Sequence, residues 1–197
     1  MRALVLTTWL TTWLTTLLVA CVPGGSRSFA PATLDRGSDW TVVRGVPDIR
    51  QHGEYDCGAA AAAMVLDYWG KPTSEETIWA AAAPQDGHGV RAGWLRDELK
   101  RRGLETYLFH GTVTDLYREL AAGRPAIVGV AMDWGNDALT HYLVVVALNV
   151  GERTIVALDP ARGWRQYEVD TFLREWAREK YLTLAVRGAG VTARASR

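Results

Sequence analysis

Between residues 57 and 123 most apolar positions recur at helical spacing, and three of the four helical runs end at a glycine. "CGAAAAAMVLDYWG" (57–70) is built of helix formers and stops at Gly70. "TSEETIWAAAA" (73–83) opens with a capping-box pair, Thr73 and Glu76. In "VRAGWLRDELKRRG" (90–103), Val90, Trp94, Leu95 and Leu99 share one helical face before Gly103. "TVTDLYRELAAG" (112–123) repeats the pattern, and "LETYLFH" (104–110) alternates like a short strand. Beyond Pro125 the pattern changes. "AIVGVAMD", "HYLVVVALNV", "RTIVALDP" and "KYLTLAV" are β-branched runs bounded by Gly, Asn, Asp and Pro, and "NVGER" suits a hairpin between the second and third. One further helix, "DTFLREWARE" with Asp170 as its cap, precedes the last strand. Helices first and an antiparallel sheet second predict an α+β domain, a helical N-terminal half packed on a C-terminal sheet.

The ends of the chain follow neither pattern. "MRALVLTTWLTTWLTTLLVAC" is one Arg, an apolar Thr-diluted stretch and then "LVAC". It is short for a membrane span and suits an export signal. Leu18-Val19-Ala20-Cys21 resembles a bacterial lipobox, in which the cysteine becomes the lipidated first residue of the mature protein. "VPGGSRSFAPATLDRGSD" lacks apolar periodicity and reads as a tether. The expected organisation is a signal peptide over 1–20, lipidated Cys21 and a flexible tether over 21–45, a folded domain over 46–187 and a disordered tail over 188–197. This places the protein outside the cytoplasm, lipid-anchored to the bacterial cell envelope.

The 197 residues suffice for one domain with a real core. Charge is balanced, with 22 basic and 22 acidic residues and no basic block, so nothing points to nucleic acid. There are two cysteines. If Cys21 carries lipid, Cys57 is a free thiol in an exported protein.

Cys57 is placed where the loop "HGEYD" gives way to a helix. Unpaired N–H groups and the helix dipole favour an anion there, which would make a thiolate available as a nucleophile. A small apolar residue fits the same place, so the cysteine alone leaves both readings open. Four histidines are candidate bases. His52 sits in the turn before Cys57, His88 in a Gly-flanked loop and His110 at a strand end. His141 opens the most apolar strand, at the mouth of the sheet. Asp159 ends the next strand. If those strands form a hairpin, antiparallel pairing puts His141 and Asp159 at the same end, where a carboxylate can orient an imidazole.

"VPDIRQHGEYDCGAAAAAMVLDYWG" resembles the active-site segment of the bacteriocin-processing, double-glycine leader peptidases, a papain-like cysteine protease family. The matching elements are Gln51, Asp56-Cys57-Gly58, the helix ending Tyr68-Trp69-Gly70, His141 opening a Val-rich strand, and Asp159-Pro160 followed by a glycine. The resemblance runs over about residues 46–186. It implies a papain-like fold, Cys57 as nucleophile, His141 as general base and acid, and Asp159 as orienter. Gln51 and the backbone N–H of Cys57 would be the oxyanion donors. It also implies a peptide or protein substrate and no cofactor. Classic members are domains of ATP-driven exporters, whereas this chain has no phosphate-cradling Gly-Lys-Ser/Thr loop and so no ATP-binding domain. The resemblance supports the mechanism rather than the leader substrate.

Two other readings remain. The same fold can serve as a catalytically weak or inactive peptide-binding module. A metal-dependent hydrolase is the third, but no His pair has helix-face ligand spacing and the Cys and His residues are not clustered as in zinc sites, so no metal is expected.

Overall fold

The computed structural model describes residues 25–35, 39–82, 89–134 and 137–188. The signal segment, Cys21 and His88 lie outside the described residues.

The helices are α1 (Cys57–Tyr68), α2 (Glu75–Ala82), α3 (Ala92–Arg101), α4 (Val113–Ala121) and α5 (Val169–Arg178). The strands are β1 (Ser26–Ser28), β2 (Trp40–Val42), β3 (Leu104–His110), β4 (Ala126–Trp134), β5 (Asp137–Asn149), β6 (Thr154–Asp159), β7 (Gly163–Glu168) and β8 (Leu182–Gly188). Among the described residues they form one sheet in the order β1-β7-β6-β5-β4-β8-β3, with β2 pairing to the far end of β5. Every pairing is antiparallel. The fold is therefore α+β as expected, with no described helix long and apolar enough to cross a membrane.

The core explains why α1 and β5 read as they do. Ala59 to Leu66 are all fully buried, so α1 is apolar around its whole circumference rather than along a stripe. Its alanines let α2, α3 and β5 approach closely. Leu143 to Ala147 are equally buried. A strand covered on both faces is a continuous apolar run rather than an alternating one. The amphipathic α5 buries Phe172 and Trp176, and the Trp176 indole N–H donates to Leu182 O at 3.0 Å.

Several boundaries differ from the sequence reading. Residues 25–35 and 39–45, expected in the flexible tether, pack on the domain. β1 pairs with β7, Leu34 is buried in a 3-10 turn (Pro31–Asp35), and Val43 is buried beyond β2. The open edge of β7 offers backbone groups to any passing segment. Arg165 fastens this one by donating to Ser26 Oγ (3.1 Å), Ser26 O (2.6 Å) and Ser28 Oγ (2.9 Å). Three-residue strands are too short to show a period. α2 begins after Ser74, whose Oγ accepts from Thr77 N at 3.2 Å, so the cap is Ser74 rather than Thr73. Glu168 occupies the N-cap of α5, leaving Asp170 in its first turn, bonded to Arg153 at 2.6 Å. β5 starts at Asp137, so His141 lies within the strand instead of opening it.

Candidate active site

Cys57 is the first residue of α1, buried and not in a disulfide. Asp56 holds the N-cap position without a side-chain cap bond, and the first intrahelical bond is Ala60 N to Asp56 O at 3.0 Å. The N–H groups of Cys57, Gly58 and Ala59 thus have no partner within the helix. Gly58 is needed for close approach: a Cβ there would lie 3.1 Å from the Tyr142 ring and 3.3 Å from Leu95 Cδ1. That contact seats the start of α1 against β5, one residue from His141.

The β5–β6 register brings the next two groups together. Val144 pairs with Leu158. One further step sets Asp159 level with Leu143, and His141 lies two residues along the same face, a diagonal neighbour. The imidazole Nε2–H donates to Asp159 Oδ1 at 2.8 Å, with both residues buried. Ala161 N–H donates to the same oxygen at 2.8 Å, and the Arg162 guanidinium lies 3.8 Å from Oδ2. The sequence expectation that these two residues share one end of a hairpin is met in this geometry. With Nε2 committed to Asp159, Nδ1 is left for the thiol.

The electrostatics follow from these contacts. Burial alone would lower the His141 pKa. Hydrogen bonds to Asp159 and to Cys57, with the charges of both, outweigh it and hold the imidazole at about 9. Burial likewise pushes Asp159 up, but the His141 bond and charge and the Ala161 N–H hold its carboxyl below the usual range. The arrangement favours an imidazolium next to a carboxylate.

Gln51 is placed beside this group, but its amide is turned into its own loop. Nε2 donates to Gly53 O at 2.7 Å and to Glu54 O at 3.3 Å, while Oε1 is buried without a partner. Its backbone N–H donates to Pro160 O at 3.0 Å, next to Asp159. The other histidines are elsewhere. His52 is exposed and pairs with Glu75 (2.6 Å) and Glu76 (3.3 Å). His110 is exposed, with Nδ1 2.5 Å from Lys180 O. His52, Glu75 and Glu76 bring ligand-type atoms within 4.8 Å of one another and are the described residues that could hold a cation. The ion pair already accounts for that grouping. Behind it, burial and the adjoining Asp56 carboxyl push Glu75 up to about 7. Glu75 has a signal in sequence only as an acidic first-turn residue; nothing there marks it as buried beside Asp56.

The model of the Peptidase C39 family matches residues 46–187. The chain belongs to the Peptidase C39 family. Solved C39 domains share its fold. The peptidase domain of Streptococcus ComA, a bi-functional ABC transporter of a quorum-sensing pathway, is 22% identical with a TM-score of 0.61, covering 74% of this chain and 100% of its own. A double glycine motif protease from an AMS/PCAT transporter, solved with its leader peptide, is 23% identical with a TM-score of 0.59, covering 75% and 97%. A C39-like peptidase from Bacillus anthracis is 15% identical with a TM-score of 0.62, covering 77% and 99%. No curated protein matches the chain by sequence. The resemblance to bacteriocin-processing peptidases thus holds at the level of family and fold: the chain carries the fold of the C39 cysteine peptidases.

Proposed function

We propose that this C39 protein is an exported, lipid-anchored cysteine peptidase that cleaves a peptide or amide bond through a thioester on Cys57. The observation that carries the proposal is the 2.8 Å bond from His141 to Asp159, with Cys57 at the start of α1 acting on the same imidazole to raise its pKa. The thiolate attacks the carbonyl carbon. The resulting oxyanion is met by the Cys57 N–H and, once its amide turns away from the Gly53 and Glu54 carbonyls, by Gln51; losing one such donor typically costs about a hundred- to thousand-fold in rate. The imidazolium gives its Nδ1 proton to the leaving amine as the C–N bond breaks. The neutral ring then takes a proton from water, whose oxygen attacks the thioester and returns the thiolate. Asp159 keeps the ring oriented throughout. A peptide substrate is supported by the related transporter protease, which was solved with a leader peptide.

Gln51 favours a second reading. Its amide N–H groups are used on Gly53 and Glu54, which suits a peptide-binding module with weak catalysis. The test is intact-mass detection of a Cys57 acyl adduct with activated peptide esters, alongside hydrolysis of peptide amides. A peptidase forms the adduct, turns it over and loses both with Cys57→Ala. A binder retains peptide equally well with or without Cys57 and hydrolyses nothing. Membrane anchoring through Cys21 is tested by Cys21→Ser, which should move the protein from the membrane fraction to the soluble one; unchanged fractionation would refute it.

A further inference from the structure

The segment entering the active-site turn and the turn that follows Asp159 meet at a single peptide unit. Arg50 Nε donates to Pro160 O at 3.0 Å, and Gln51 N–H donates to the same oxygen at 3.0 Å. Arg50 Nη2 donates to the next carbonyl, Ala161 O. The Pro160 carbonyl and the Ala161 N–H belong to one peptide group, which is planar and trans. Its C=O and N–H therefore point in opposite directions. The N–H end is the one that donates to Asp159 Oδ1, the oxygen that holds His141.

Resting on the peptidase reading, we propose that Arg50 is a positioning residue: by gripping the Pro160 carbonyl it aims the Ala161 N–H at Asp159 and so sets the orientation of His141. Fixing one end of a rigid plane fixes the other. A charged donor on the carbonyl also polarises the peptide group, making its N–H a stronger donor. The grip is two-pronged, which suits a guanidinium and not an ammonium. Gly163 leaves room for it. That residue has φ +77°, and a Cβ there would lie 2.6 Å from Arg50 Nη1 and 3.1 Å from Asp48 Oδ2. Because Gln51 supplies the second bond to Pro160 O, the clamp also ties the candidate oxyanion segment to the His–Asp half of the site.

The test compares wild type, Arg50→Ala and Arg50→Lys in the full chain. Three quantities are read: the titration midpoint of the His141 imidazole by NMR, kcat and KM on a peptide amide, and thermal stability. Arg50→Ala should lower the His141 midpoint and reduce kcat about tenfold, with KM changed less than about twofold. Arg50→Lys should fall between, and added guanidinium should restore part of the Arg50→Ala loss. An unchanged His141 midpoint with only a lower melting temperature would overturn the proposal and leave Arg50 an ordinary surface bridge. The titration needs no substrate. If wild type hydrolyses nothing, the peptidase reading fails, while the midpoint still decides whether Arg50 positions the pair.

Discussion

Replacing Asp159 by Ala removes one carboxylate that accepts from two donors, His141 Nε2–H and Ala161 N–H, both at 2.8 Å. Holding an imidazole at about 9 instead of 6.5 corresponds to about 3 kcal/mol of preference for the charged ring. Burial works against that preference, so the Asp159 and Cys57 contacts together supply more than the net. Without Asp159, only Cys57 opposes burial, and the His141 midpoint should fall toward 6.5 or below. The ring would then be mostly neutral at neutral pH and free to rotate, and kcat should drop by roughly a hundred- to ten-thousand-fold. Asp159→Asn should be milder, because an amide oxygen can still accept from Nε2–H. The sign for stability is also fixed. A histidine raised in the folded state adds stability that is complete below 6.5 and is lost as pH climbs through about 9. Asp159, held low, adds stability present above 3.8 and lost on acidification. Wild type should therefore lose urea resistance between about pH 6.5 and 9, and Asp159→Ala should lack that loss. NMR titration of His141 and the pH profile of Cys57 alkylation measure both effects. A His141 midpoint still near 9 in Asp159→Ala would refute the reasoning.

Three further outcomes are expected. Gly58→Ala forces a methyl against the Tyr142 ring and Leu95; urea unfolding should show about 1–3 kcal/mol of destabilisation, with slower Cys57 alkylation as α1 shifts, and a neutral variant would contradict the close approach. Glu75, held near 7 by burial and Asp56, binds its proton more tightly folded than unfolded, so its contribution to stability falls as pH rises from about 4.5 to 7. Glu75→Gln should flatten the decline between pH 5 and 8, and equal slopes in the two proteins would count against a protonated Glu75. Trp176→Ala empties a fully buried site and leaves Leu182 O without its indole donor; a loss of about 3–5 kcal/mol is expected, and a cost under about 1 kcal/mol would show the site collapses freely.

Particular residues show where the sequence was informative. α1 was readable because alanine propensity and the Gly70 stop agree, and β5 and β6 because β-branched runs flank a hairpin of Asn and Gly. The His141–Asp159 pairing followed from antiparallel geometry alone. What stayed hidden depends on partners distant in sequence. β7, "GWRQYE", carries a polar pattern, and β1 and β2 are ordered by the strands they join rather than by their own periodicity. Arg50 looks like any turn arginine until Pro160 and Ala161 are folded against it. The orientation of the Gln51 amide is likewise set by the carbonyls of its own turn.

The enclosure of α1 has a consequence for motion. Its middle residues, Ala59 to Leu66, touch no solvent, so their amides should exchange with deuterium only when the whole domain unfolds. The turn from His52 to Glu54 is much more open and should exchange through local opening. The nucleophile therefore rides on a helix as fully enclosed as the central strand β5. Whatever adjustment a substrate demands falls to the loop on one side of Cys57, so that the thiol acts as the fixed point about which the rest of the cleft adapts.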